Sequence, residues 1–157
     1  MKRRKIKIYI DTSVIGGYYD EEFELETKLF FKEVKQGKFQ VIYSSVTDDE
    51  LLEAPKRVRD LIKNLPKEYV TKIKLTKEAF TLAETYLAEK VVGKTSYEDC
   101  LHIALATIHQ VDILLSWNFK HIVNYTRIRG YNGVNMKLGY PTIDIRSPKE
   151  IIYNEED

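Results

Sequence analysis

The chain is 157 residues long, the size of one ordinary domain with its own packed core. Its 25 Lys and Arg against 24 Asp and Glu leave a formal net charge of +1, so no global field draws it to nucleic acid or membrane, and a polyanion must be held by a local basic patch. One cysteine, Cys100, excludes an internal disulfide and a Cys-rich zinc site, and no apolar run approaches the roughly 18 residues of a membrane span.

Met1 to Lys5 looks like the charged start of a signal peptide, but Lys7 and Asp11 interrupt what would be its apolar region. A cytoplasmic protein that does not enter the membrane is expected. Ile6, Ile8 and Ile10 then alternate with Lys7 and Tyr9, which predicts a strand ending at Asp11-Thr12-Ser13. Leu25, Leu29, Phe30 and Val34 share a helical face. Phe39 to Ser44 reads as a second strand, and Thr47 to Leu52 starts a helix that Pro55 breaks or restarts. Val58, Leu61, Ile62 and Leu65 continue a helical stripe until Pro66.

Tyr69 to Leu75 is a short strand or an extended connection, and Thr76 caps a helix carrying Ala79, Phe80, Ala83, Tyr86 and Leu87. Ser96 opens another helix with Cys100, Ile103, Ala104 and Thr107 at core spacing, and Asp112 to Ser116 suits a buried parallel strand. Trp117 to His121 is a loop turning into a short helix. Gly130, Gly133, Gly139 and Pro141 predict irregular chain, Thr142 to Ile145 a last strand, and Ser147 a terminal helical turn. Strands alternating with helices predict one α/β domain over 1–157, with a mostly parallel central sheet flanked by helices on both faces.

Three acids occupy comparable places in that scheme. Asp11 ends the first strand, Glu50 lies in the first turn after the second, and Asp99 in the first turn of the helix before the Ile113 strand, which Asn118 follows. In a doubly wound sheet all four meet at one edge. Clustered carboxylates repel and call for a hard divalent cation such as Mg²⁺, which activates water toward a phosphodiester. Each residue also has a plain structural account. Thr47-x-x-Glu50 and Ser96-x-x-Asp99 both match a helix capping box, and Asp11 and Asn118 are competent caps. His102 shares the helical face of Asp99 and reads as a packed, hydrogen-bonded histidine. Trp117, Lys120, His121, Arg127 and Arg129 are candidates for holding bases and phosphates, against a core Trp and a solvated polar loop. The basic start, Lys2 to Lys5, is open to the same two readings.

Several segments together resemble the PIN domain family, the nuclease fold of the VapC-type toxins. They are Ile8-Tyr9-Ile10-Asp11-Thr12-Ser13, Ser45 followed by Glu50-Leu51, Asp99-Cys100-Leu101-His102-Ile103-Ala104-Leu105-Ala106, Val111 through Asn118, and Ile143-Asp144-Ile145 before Pro148. The resemblance implies an acidic pocket for Mg²⁺ or Mn²⁺ and cleavage of RNA, and further a homodimer and an antitoxin partner. It implies Asp11, Glu50 and Asp99 as metal-site acids, with Thr12, Ser13 and Ser116 as supporting hydroxyls. The family often carries a fourth acid where this chain has Asn118, which implies a single well-held ion. The alternative reading is a catalytically weak or inactive PIN-like module that binds RNA or protein. A phosphatase with an aspartyl nucleophile lacks its second acid, because position 13 is Ser.

Overall fold

A computed structural model describes residues 4–152, so Lys2 and Arg3 of the basic start lie outside the described residues. In chain order the elements are β1 (Ile6–Ile10), α1 (Thr12–Gly17), α2 (Glu24–Lys35), β2 (Phe39–Ser44), α3 (Ser45–Glu50) and α4 (Lys56–Asp60). There follow β3 (Val70–Ile73), α5 (Lys77–Ala88), α6 (Tyr97–Ile108), β4 (Ile113–Leu115), α7 (Tyr125–Lys137), β5 (Ile145–Arg146) and α8 (Pro148–Ile152). Among the described residues no helix is long and apolar enough to cross a membrane.

The strands form one sheet in the order β3-β2-β1-β4-β5, with every pair parallel. A parallel sheet is covered on both faces, because each crossover lays a helix on it. The two-residue period of β1 divides the core accordingly. Ile8 and Ile10 stand beside Val41, Ile113 and Leu115 and pack on Val14 and Ile15 of α1 and on Phe30, Phe31 and Val34 of α2. Tyr9, beside Ile42 and Leu114, faces the other way into Leu82 and Tyr86 of α5, Ile103 of α6 and Tyr131 of α7. Tyr9 is fully buried although it alternates with the exposed Lys5 and Lys7. Only the amino end of β1 projects beyond its helical covers, so the polar side of the strand stops at Lys7. α6 is buried from Cys100 through Thr107, which accounts for its nearly unbroken run of small and apolar residues.

The amino edge of the sheet has its own fastening. Arg4 donates two hydrogen bonds to the Asp112 carboxylate, at 2.9 and 3.0 Å, and the Lys7 amide donates to it at 2.8 Å. The Lys5 ammonium lies 4.0 Å from the centre of the Tyr69 ring. The described part of the basic start thus ties β1 to its neighbours. At the carboxyl edge, strand order reverses on either side of β1: the chain runs β1 to β2 to β3 outward, then returns to place β4 on the opposite flank. That reversal opens a crevice beyond Ile10 and Leu115.

Five expectations change. α3 starts at Ser45, capped by Ser44 Oγ accepting from the Val46 amide, so Glu50 lies in its last turn and not its first. Pro55 restarts the chain as α4, but the helical stripe ends at Asp60 and continues only as a short 3-10 turn over Ile62–Asn64. Residues 119–122 make turns, and no short helix follows Trp117. The first part of the stretch read as irregular is the 13-residue α7, in which Gly130 allows close approach to the chain after α5, a β-carbon there standing 2.7 Å from Val91 Cγ1, while the chain around Gly139 and Pro141 is irregular as expected. β5 is correspondingly short and begins only at Ile145.

Weak helix formers in α7 are offset by a buried polar network. Asn135 Oδ1 accepts from the Tyr86 hydroxyl at 2.5 Å, and Asn135 Nδ2 donates to Thr107 Oγ1 at 3.2 Å. Asn132 pairs with both the amide and the carbonyl of Ile143, at 2.8 and 3.1 Å, which sets the approach to β5. Asn135→Ala would remove the amide that the buried Tyr86 hydroxyl donates to and that donates to Thr107. We expect a loss of about 1–3 kcal/mol in urea unfolding, with the far-ultraviolet spectrum unchanged under native conditions.

Candidate active site

Asp11 follows β1 directly and is only 3% exposed. Its extended backbone makes it the N-cap of α1, with Oδ1 accepting from the Val14 amide at 3.3 Å. Two hydroxyls complete its coordination: Ser13 Oγ donates to Oδ1 and Ser116 Oγ to Oδ2, each at 2.6 Å. Each hydroxyl is itself held by a backbone donor from the loop after β4, Ser13 by the Trp117 amide at 2.8 Å and Ser116 by the Asn118 amide at 2.9 Å. The Asp11 amide meanwhile continues the β1–β4 ladder to the Leu115 carbonyl. Burial pushes the Asp11 carboxyl above its ordinary range, and the Ser116 and Ser13 donors work against that rise.

Glu50 reaches the same edge from the end of α3. Its Oε1 accepts from Thr12 Oγ1 at 2.7 Å and lies 2.6 Å from His102 Nε2. Burial would raise this carboxyl, but the contact with His102 and the Thr12 donor outweigh it and hold Glu50 below its usual range. The other ring nitrogen, Nδ1, is 2.7 Å from the Tyr9 hydroxyl, which is in turn 2.7 Å from Ser44 Oγ.

Asp99 lies in the first turn of α6, as expected, but no capping box forms. Ser96 Oγ caps nothing, and both Ser96 Oγ and Thr47 Oγ1 are buried without a hydrogen-bond partner. Helix capping therefore accounts for neither Glu50 nor Asp99, whereas it accounts in part for Asp11. Burial, and then the charge of Asp11, push the Asp99 carboxyl up to about 6. Asn118 uses Oδ1 to accept from the Lys120 and His121 amides, at 3.1 and 2.9 Å. Two backbone donors on one atom fix the orientation of the amide and turn its Nδ2 to Asp99 Oδ2 at 3.4 Å. Asn118 is thus both the cap of its turn and a clasp on Asp99.

The three carboxylates belong to one connected edge: Asp11 to Ser116 to Asn118 to Asp99 on one side, and Asp11's neighbour Thr12 to Glu50 on the other. Among the described residues none of the three has a Lys or Arg partner; the one basic side chain in contact with them is the His102 ring, at Glu50. Nor, among the described residues, is any group of three or more His, Cys, Asp or Glu side chains arranged to hold a metal ion by itself. The donor set is nonetheless of one kind, carboxylate and hydroxyl oxygen with no sulfur, the chemistry suited to Mg²⁺ or Mn²⁺.

The remaining candidates divide. Trp117 is 7% exposed, stacked on Phe23 at 4.3 Å, and donates Nε1–H to Thr27 Oγ1, so its faces are closed to a base. Its indole also explains Gly17, where a β-carbon would stand 2.8 Å from the ring. Phe119, the residue after Asn118, lies edge-on to Trp117 at 6.1 Å and is 49% exposed. Lys120 is exposed and His121 half-buried beside it, and burial together with the charges of Lys120 and Arg127 lowers the His121 imidazole. Arg127 spends a guanidinium hydrogen on the Val91 carbonyl at 2.6 Å, while the exposed Arg129 lies against Tyr125 on α7. Reading the sequence missed Tyr9 and Ser44. The available signal was an aromatic residue two places before Asp11 in a strand whose other alternate residues are Lys.

No family model and no curated protein matches the sequence. Solved structures do. The crystal structure of DNA-bound VapBC from Salmonella typhimurium contains a chain that superposes with TM-score 0.58 at 16% identity, covering 91% of this chain and 98% of that one. FitAcB from Neisseria gonorrhoeae gives TM-score 0.55 at 12% identity, covering 92% and 99%. Tyrosyl-tRNA synthetase from Aeropyrum pernix gives TM-score 0.50 at 14% identity, covering 90% of this chain and 52% of that one. The chain thus has the α/β architecture expected from its resemblance to PIN domains. Identities this low carry the fold and leave the chemistry to the site itself.

The raised Asp99 carboxyl has a consequence for stability. Asp99 binds its proton more tightly folded than unfolded, with an ordinary value of 3.8 against about 6. Its contribution to stability is therefore full at low pH and declines as pH rises from about 4 to about 6. In metal-free protein, the stability of Asp99→Asn relative to wild type should climb across that window and stay level above it, as read from urea midpoints at pH 4, 5, 6 and 7.

Proposed function

We propose that the protein is a Mg²⁺- or Mn²⁺-dependent endoribonuclease that hydrolyses phosphodiester bonds at the crevice beyond β1 and β4. The observation that carries this reading is the buried Asp11 carboxylate at the reversal of strand order, joined through Ser116 and Asn118 to a second carboxylate, Asp99, with no Lys or Arg paired to either among the described residues. Such a pair of like charges is costly in a site of low water content unless a hard cation enters. Asp11 and Asp99 would hold the ion directly, and Glu50 would take part through water, in keeping with the absence of a three-ligand cage among the described residues. The ion would supply a water of lowered pKa and offset charge on the phosphoryl oxygens.

The protein's own residues do the rest of the work. Ser13 and Ser116 prevent Asp11 from turning, and Asn118 holds Asp99 by its amide hydrogens, so it contributes position and no charge. Lys120, beside Asn118 in the turn, and the exposed Arg129 are the side chains suited to the RNA backbone, and half-exposed Phe119 replaces Trp117 as the aromatic face open to a base. The likeness to chains of the VapBC and FitAcB structures supports extending the reading to a toxin with a protein antitoxin partner and to a homodimer.

One observation favours a second reading. Asn118 commits its oxygen to two backbone amides, so the position where relatives of the PIN type often carry an acid offers no oxygen to an ion. An RNA- or protein-binding module without turnover would have this feature too. Incubation of single-stranded RNA with purified protein and Mn²⁺ separates the two readings. The nuclease reading expects cleavage that EDTA stops, and a loss of at least about 100-fold in Asp11→Asn and in Asp99→Asn with melting temperatures retained. Binding of RNA without cleavage, or cleavage undiminished in both variants, would remove the proposed site.

A further inference from the structure

Of the three carboxylates, Glu50 alone is hydrogen-bonded to a ring, that of His102 on the neighbouring helix α6. His102 is 1% exposed and Tyr9 and Ser44 are fully buried, so the chain Ser44–Tyr9–His102 has one outlet, the half-exposed Glu50. The direction of its hydrogen bonds follows from that outlet. The Glu50 carboxylate can only accept, so Nε2 carries the hydrogen and a neutral ring accepts at Nδ1 from Tyr9; the Tyr9 oxygen then accepts from Ser44 Oγ, which itself accepts from the Val46 amide. In this direction each buried polar atom of the chain is satisfied, and the tautomer of the ring is set by Glu50.

The geometry points to His102 as a positioning residue for Glu50: oriented by Tyr9 and Ser44, it holds Oε1 together with Thr12 and leaves Oε2 as the oxygen that serves the crevice. A side chain serving only to fill the core would need neither nitrogen, yet both are engaged at 2.6 and 2.7 Å. This inference rests on the reading of Glu50 as part of a metal-assisted site, and it adds that the site's third acid is set from within the α6 layer and not by its own helix.

Two near-isosteric substitutions separate positioning from packing. His102→Gln keeps a donor at the place of Nε2, and His102→Asn keeps a polar group only at the place of Nδ1. Two readouts are needed, three-bond NMR couplings reporting the Glu50 rotamer in metal-free protein, and Mn²⁺ affinity by calorimetry. We expect His102→Gln to keep one Glu50 rotamer and a Kd within about threefold of wild type, and His102→Asn to average the rotamer and weaken Kd about tenfold. Tyr9→Phe, which keeps the ring and loses the hydroxyl, should move both readouts in the direction of His102→Asn. In a Glu50→Gln background the two His102 variants should bind Mn²⁺ equally. Identical couplings in the Asn and Gln variants, or a loss in His102→Asn that persists undiminished without the Glu50 carboxylate, would overturn the positioning role. Absence of Mn²⁺ binding in wild type would instead overturn the metal reading of the crevice, and the couplings would then decide the role of His102 on their own.

Discussion

A carboxylate almost without access to water, at the point where strand order turns back, is the constraint around which this structure is arranged. Asp11 cannot be displaced outward, because its amide is part of the β1–β4 ladder and its carboxyl starts α1. It cannot stay where it is without donors, since an unpaired buried charge is among the most costly features a fold can carry. The loop after β4 supplies what is missing. Ser116 reaches one oxygen, and Ser13, steadied by the Trp117 amide, reaches the other. Satisfying one group thereby fixes the course of two chain segments that lie 105 residues apart in sequence.

Much of what surrounds that point follows from the sheet. Parallel pairing requires cover on both sides, and the alternation of Ile8, Tyr9 and Ile10 assigns each residue to a layer. One rim of the crevice, Ser13 with Trp117, belongs to the layer of α1 and α2; the other, Glu50 with His102, belongs to the layer of α5 and α6. Tyr9 in β1 and Asp11 directly after it, two residues apart, connect the two rims.

Strands and amphipathic helices were legible in the sequence because their periodicity reflects burial, and β1, β2, α2 and α5 lie close to where their patterns put them. α7 was not legible. Gly130, Gly133 and several Asn residues look like loop, and the reason they form a helix, the Tyr86–Asn135–Thr107 network, involves residues far away in the chain. That the acids at positions 11, 50 and 99 stand at strand or helix ends was legible, since each follows or opens a periodic run. What could not be read was their support. Ser44 carries no local signal as a hydrogen-bond partner, Tyr9 only that of an aromatic among lysines, and the two apparent capping boxes are motif matches that the backbone does not use. The indole of Trp117 could be read as exposed or buried, and only its wall of Phe23, Thr27 and Gly17 decides it.

The partition of the interior by a single sheet also bears on how such a protein changes over generations. A substitution among Phe30, Phe31 and Val34 strains the cover behind one lip, while a substitution among Leu82, Tyr86 and Ile103 strains the cover behind the other. Packing errors are felt most by immediate neighbours, so each lip drifts largely by itself. Lineages could accordingly alter how tightly an ion is gripped and how a polymer is admitted as two nearly separate traits, with β1 as the hinge-pin common to both.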